Sequence, residues 1–196
     1  MRYNRLYKDN NFLTPTTYTQ TLSEYTETLR YEDIPADVVE RAKMIMLQTV
    51  GAALAAKGTP IAEKACRMSE EANGGEGGAT SVWGTGKKMA AVNAALALGT
   101  MSDALDWEDC SWTGHPAAGV IPCAWLAAEE KHKSGKDLIT AIVAGYEVYQ
   151  RVALAGRGSI ASYNIFGILP VLMKLMDMDE EQMNQTFGIG TACAII

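Results

Sequence analysis

The chain holds only two histidines and four cysteines in 196 residues, and no two cysteines form a C-x-x-C pair. Cys66, Cys110, Cys123 and Cys193 lie far apart, which excludes a disulfide framework or a structural zinc module as the organising device. A long apolar run is also missing. The longest mainly apolar stretch, Met44 to Ala56, is broken by Gln48 and falls short of the roughly 20 residues that span a bilayer. The N-terminus leads into Lys8-Asp9-Asn10-Asn11 and not into an apolar signal core, so no secretory leader is expected and the thiols read as reduced, in a cytoplasmic protein. Positive charge is in deficit, 17 Lys+Arg against 23 Asp+Glu, for a net charge of −6. Nucleic acids and anionic membrane surfaces require a basic face, so neither is expected as a partner. A small anionic substrate needs only a few local cations and stays open.

What is present is an ordinary globular balance, 48% hydrophobic and 20% charged. Residues 1–16 are polar and irregular and read as a loose arm; 17–196 read as one helical domain. Tyr18, Leu22, Tyr25, Thr26 and Leu29 fall at helical spacing. Pro35 suits the first position of a second helix, with Ile34 packing back before it, and Val38, Val39, Ala42, Ile45, Met46, Thr49, Val50 and Ala53 form one face. Gly58 marks a stop and Pro60 a new start, to about residue 73. After the turn Asn73-Gly-Gly-Glu-Gly-Gly78, the segment Thr80 to Trp83 is the one strand candidate. Lys88 to Thr100 is Ala-rich and suits a buried helix. Further helices are expected over 116–132, 138–155, 163–177 and 179–195, with Ser134 and Asp179 as caps. The Met173, Met176, Met178, Met183 run reads as core or contact surface. The fold class is therefore all-α, a helical bundle.

The segment that could carry chemistry runs from Asp103 to Pro116. Four carboxylates (Asp103, Asp106, Glu108, Asp109), a thiol, a hydroxyl and His115 lie within 13 residues, interleaved with Trp107 and Trp112. Indoles are usually buried, so this is more than a solvated acidic face. His115 precedes Pro116, a plausible helix start. There the positive end of the helix dipole disfavours imidazolium while nearby carboxylates favour it, and such opposing effects suit a proton-transfer catalyst near neutral pH. A purely structural reading competes, in which Asp106 and Asp109 cap helices and His115 is an interior hydrogen-bonder. A hard-cation site is a third, although EF-hand spacing is missing. Gly84-Thr-Gly86-Lys87-Lys88 has neither P-loop nor dinucleotide spacing and reads as a structural turn. Glu147 and Arg151 form an i,i+4 ion pair in the helpful orientation. Tyr163, Asn164 and Phe166 open a helix that could line a pocket or simply pack in the core.

These residues in this order resemble the MmgE/PrpD family. The stretches are Tyr31-Glu-Asp-Ile-Pro35 with Val38-Val-Glu-Arg-Ala-Lys43, Gly84-Thr-Gly-Lys-Lys88 with Val92-Asn-Ala-Ala95, Ala104-Leu-Asp106-Trp-Glu-Asp109, Thr113-Gly-His-Pro116, Ser134-Gly-Lys-Asp-Leu138, Gly145-Tyr-Glu-Val148 with Arg151, and Phe187-Gly-Ile-Gly190. They fit from about residue 20 to the end. The resemblance implies a large helical domain, a smaller α+β domain elsewhere, and homodimers. It implies chemistry without metal or organic cofactor on di- or tricarboxylates: proton transfer beside a carboxylate or imine, leading to dehydration, decarboxylation or epimerisation. The family's Asp and His positions fall on Asp106 and His115, taken as catalytic, with Asp109 and Thr113 as weaker candidates that orient the site and bind substrate. Lys87, Lys88, Arg151 and Arg157 are the available cations, of which Lys87 and Arg151 are taken as substrate-binding. Family chains are more than twice this length, and their later basic segment, α+β domain and catalytic Tyr lie past Ile196. A family His also has no counterpart in Ala161-Ser-Tyr-Asn-Ile-Phe166. The expectation is therefore a catalytic part that pairs with a second polypeptide or another copy of itself. A non-catalytic helical module is the alternative.

Overall fold

The structure is a computed structural model and describes residues 17–75, 77–111, 114–156 and 163–194. The arm expected over 1–16 lies outside these residues. Among them are eight α-helices: α1 Tyr18–Thr28, α2 Ala36–Ala56, α3 Pro60–Ala72, α4 Ala91–Asp103, α5 Ala117–Glu130, α6 Gly135–Ala155, α7 Asn164–Leu175 and α8 Glu180–Cys193. A 3-10 turn, Tyr31–Asp33, separates α1 from α2, and a small hairpin, β1 Thr80–Val82 and β2 Lys87–Met89, sits between α3 and α4. The domain is mainly helical, as the periodicity predicts.

The helix starts follow the side chains available to satisfy free N–H groups. Thr17, Ser134 and Asp179 each form a capping box, with Gln20, Asp137 and Gln182 respectively. Thr59 caps α3 ahead of Pro60 at its first position. Gly58, at φ 93°, supplies the left-handed residue that lets the chain leave α2. Pro35 sits one position earlier than expected: it is the residue before α2, and its carbonyl accepts from the N–H groups of Val38 and Val39.

The start of α4 differs more from the sequence reading. Lys88 and Met89 belong to a strand, with Ser81 opposite Lys88 and Val82 opposite Lys87, and the helix begins at Ala91. Gly84 and Gly86 take positive φ and reverse the chain tightly enough for this pairing. Thr80 then donates its hydroxyl to the Met89 carbonyl, and the Ser81 N–H and hydroxyl both donate to Glu129 of α5. Alternation within three residues is too short a signal to outweigh the Ala-rich run that follows.

The main core lies where α2, α4, α5 and α6 meet, around Leu98, Met101, Val120, Ile121, Leu126 and Ile142. Ala94 and Ala97 of α4 and Ala117 and Ala124 of α5 are fully buried. Their small side chains suit close packing of α4 against its neighbours. A second cluster of Val148, Phe166, Met173, Met183 and Phe187 seats α8 and α1 on α6 and α7. Met173 and Met183 are thus core, while Met176 is largely exposed. No helix among the described residues is long and apolar enough to cross a membrane.

A close backbone contact joins α5, α6 and α7. A Cβ on Gly145 would lie 2.7 Å from the Gly167 carbonyl oxygen and 2.7 Å from Val171 Cγ2; one on Gly167 would lie 2.8 Å from Val120 Cγ2. Gly188, by contrast, faces open space on α8. Gly145→Ala is therefore expected to destabilise the domain by about 1–3 kcal/mol through overpacking, despite alanine's better helix propensity. Gly188→Ala is expected to stabilise it by about 0.5–1 kcal/mol. Urea unfolding of the two variants checks both signs.

Candidate active site

The loop from the end of α4 to the start of α5 carries the acidic cluster. Asp106 turns the chain at φ 55°, a conformation that short polar side chains tolerate, and its N–H donates to the Asp103 carbonyl. From there the side chains diverge. Trp107 is 64% exposed, and its carbonyl accepts from Gln48 Nε2 at 2.9 Å, which ties the loop to α2. Glu108 points inward and is only 4% exposed. Asp109 reaches forward: its Oδ1 accepts from the Ala117 N–H at 3.0 Å and so caps α5 from eight residues upstream. Pro116, the residue before α5, has no side chain able to do this. Between them, Ser111 and Gly114 exchange backbone hydrogen bonds that close the loop.

His115 therefore leaves this loop just before α5, as expected, with its ring gripped by two carboxylates. Nδ1 lies 2.8 Å from Glu108 Oε1, and Nε2 lies 3.5 Å from Asp106 Oδ1. Asp106 is 81% exposed, so the second contact is a solvent-side one. The first is buried and short, but the ring N–H is not well aimed along it. Both Glu108 oxygens and His115 Nδ1 consequently lack a well-formed hydrogen bond.

Burial raises the Glu108 pKa, neighbouring Asp103 raises it further, and His115 opposes both. Burial likewise raises that of Asp109, against the Ala117 N–H and the Tyr146 hydroxyl. Tyr146 faces Asp109 from α6 without a hydrogen bond of good geometry, and burial beside that carboxylate keeps its hydroxyl protonated.

His115 opens onto a solvent-connected cavity of about 740 Å³. Asp103, Gly99 and Thr100 of α4 form one wall, Ala118 and Gly119 of α5 a second, and Asn164 and Ile168 of α7 a third. Pro122 has no N–H to give the Ala118 carbonyl, and that oxygen faces Gly99. The Asn164 Oδ1 is buried without a hydrogen-bond partner. The lining contains no lysine or arginine among the described residues. Asp103, Glu108 and His115 also form a donor set whose ligand atoms lie within 4.8 Å of one another, so these three could hold a divalent cation.

Of the residues singled out from the sequence, the fold brings Asp106, Asp109 and His115 together. Asp109 serves the start of α5 and does not line the cavity. Lys87 lies in β2, paired with Glu70 at 2.5 Å, and Arg151 pairs with Glu147 on an exposed face of α6; neither lines the cavity. Thr113 lies outside the described residues. Asp103 and Glu108, named in the sequence only as members of the acidic segment, and Asn164, named as a possible pocket residue with core packing as the competing reading, are further lining and supporting residues that were given no role there. Asp103 is detectable as the helical neighbour, four residues on, of Gly99. Glu108 is detectable only once Trp107 is seen to point the other way.

The family model of the MmgE/PrpD N-terminal domain matches residues 20–194. The chain belongs to the MmgE/PrpD family. It is similar to the cis-aconitate decarboxylase of Aspergillus terreus, 28% identical over 198 residues that cover 91% of this chain and 40% of that protein. It is also similar to the cis-aconitate decarboxylase-like protein oryM of Aspergillus oryzae, 29% identical over 150 residues, 72% of this chain and 31% of the relative. This MmgE/PrpD chain thus spans about a third to two-fifths of the length of the curated relatives it matches.

The raised Glu108 pKa has a direct consequence for stability. An unfolded glutamate ionises near pH 4.3, and the fold penalises its charged form. The penalty is absent below about pH 4, grows as pH rises through the folded value, and is complete above it. Glu108→Gln is expected to unfold at higher urea than the parent chain at about pH 8, with the difference vanishing near pH 4. A variant less stable at pH 8 would mean that the His115 contact outweighs the burial penalty.

Proposed function

We propose that this chain is the proton-transfer part of a cofactor-independent lyase or isomerase that acts on a di- or tricarboxylate in the cytoplasm, by dehydration, decarboxylation or epimerisation. The observation that carries the reading is the His115 ring, with Nδ1 2.8 Å from buried Glu108 and Nε2 3.5 Å from Asp106, beside a cavity large enough for a small acid. A carboxylate on one ring nitrogen fixes the tautomer and leaves the other to accept or donate a proton. In this scheme Nε2 of His115 removes the proton from the carbon next to a carboxylate or returns it. Asp106 supports the imidazolium formed, and Glu108 positions the ring. The relatives that act as cis-aconitate decarboxylases make cis-aconitate the first substrate to test.

The cavity lining holds a negative Asp103 and no basic side chain. A polyanionic substrate needs positive groups to hold it and to stabilise charge developing beside its carboxylates. We therefore assign those groups to a second polypeptide or a second copy that covers the cavity mouth. Ile61, Leu96 and Val92 are exposed large apolar residues on α3 and α4, the helices that line the cavity, and suit such a contact. The same missing cations favour the alternative, a non-catalytic helical module, if no partner exists.

In the assembled enzyme, His115→Gln is expected to lower turnover of cis-aconitate by about 10²–10⁴ while leaving folding intact. Unchanged turnover rejects His115 as the acid–base group. The chain on its own is expected to show no turnover and to gain it with its partner polypeptide. A stable monomer that converts the substrate unaided would remove the partner from the reading.

A further inference from the structure

A second cavity, of about 350 Å³, lies at the far end of α7 from His115, between the end of α1, the Tyr31–Asp33 turn and the start of α6. Asn164 lines the first cavity from the first turn of α7 and Lys174 lines this one from the last, about 15 Å along the axis at 1.5 Å per residue. We propose that this cavity binds a small multivalent oxyanion, held by Lys174 and Arg30 with Lys133 and Lys136 at its rim.

The argument rests on how the four cations are already engaged. Lys133 is satisfied by both oxygens of Asp177, each at 2.6 Å. Lys136 stands 3.5 Å from Glu32 and over the Tyr31 ring, with both charged groups largely exposed. Lys136 is thus a weakly held rim pair able to turn inward, whereas Lys133 stays on Asp177 and adds its charge from the rim. Asp137 also lines the cavity, but its carboxylate accepts from the Ser134 N–H and hydroxyl, and those bonds hold its pKa below the usual range. It is committed to the cap of α6.

Lys174 and Arg30 are in a different position. The Lys174 ammonium donates to the Thr26 carbonyl at 2.8 Å and to that of Glu27 at 3.4 Å, and Arg30 donates to the Glu27 and Leu29 carbonyls. Two cations thus converge on the last turn of α1. Arg30 has Glu27 at 3.5 Å as a solvent-side partner, whereas Lys174 has no carboxylate within ion-pair distance among the described residues. An ammonium carries three N–H donors, and the two carbonyls take two of them. Burial, and then Arg30 beside it, pulls the Lys174 pKa down to about 8 against the opposite pull of Glu27 and Asp137, neither of which reaches the ammonium as a direct counter-charge. An oxyanion in the cavity would supply that charge, accept the remaining N–H and meet Arg30 in its forked geometry. Two equivalents of negative charge on one small body match two converging cations better than a monovalent ion does.

The test is a titration of the full chain with inorganic phosphate and, separately, with citrate, at low ionic strength, followed by backbone amide NMR shifts. Saturable shifts confined to Leu29–Glu32 and Lys133–Thr140 are expected. A response to phosphate alone assigns a phosphate-bearing ligand, and one to citrate alone a polycarboxylate. Lys174→Met should weaken binding about tenfold or more, as for loss of a charge-assisted hydrogen bond, and His115→Gln should leave it unchanged. Should Lys174→Met loosen α1, Arg30→Gln provides the same test from the other cation. No saturable shift with either anion at tens of millimolar, shifts confined to the His115 cavity, or parent-like binding by both Lys174→Met and Arg30→Gln would overturn the proposal.

Discussion

Three helices can meet at Val120 only because positions 145 and 167 carry no side chain. With Gly145 against the Gly167 carbonyl and Gly167 against Val120, α6 and α7 approach closely enough to lock α7 beside α5. This contact holds two walls of the His115 cavity in place. Gly119, one residue from Val120, faces Ile168, one residue from Gly167, and a Cβ there would lie 3.1 Å from the isoleucine Cδ1. Cavity width is thus set by the same absence of side chains that permits the packing. A bulkier residue at any of these positions would move α7, and Asn164 with it, relative to the imidazole.

Within that frame the acidic loop divides its carboxylates by job. Asp109 spends its charge on a helix terminus, where free N–H groups and the dipole favour it. Glu108 is placed where water cannot reach it and where its best neighbour is His115. Asp106 stays in solvent on the other side of the ring. One histidine thus lies between a buried and an exposed carboxylate. Three acids within four residues that looked alike in composition are chemically distinct once the left-handed turn at Asp106 and the outward Trp107 set their directions.

Much of this was legible beforehand, for physical reasons. Helix faces repeat over many residues, so α2 and α6 announce themselves. Caps at Ser134 and Asp179 are local chemistry, read within four positions. His115 at the start of α5 followed from Pro116. The hairpin was half visible, because β2 offers three residues whose partners lie across a turn. Lys87 and Arg151 were candidates for substrate contact only as available cations, and the fold pairs each with a glutamate away from the cavity. Glu108 and Asn164 were named but given no role, because burial without a partner is a property of three-dimensional surroundings that no spacing encodes.

The loop's attachment through a backbone carbonyl has an optical consequence. Gln48 holds the Trp107 carbonyl, not its indole, so the ring stands in water while the loop beneath it is fixed. Trp83 and Trp125 are packed edge to face at 5.6 Å within the core. Water-facing and core indoles emit at different wavelengths, so the red edge of the fluorescence belongs to the site loop among the described tryptophans. The segment thus carries a chromophore between the two carboxylates that flank the imidazole, one residue from each.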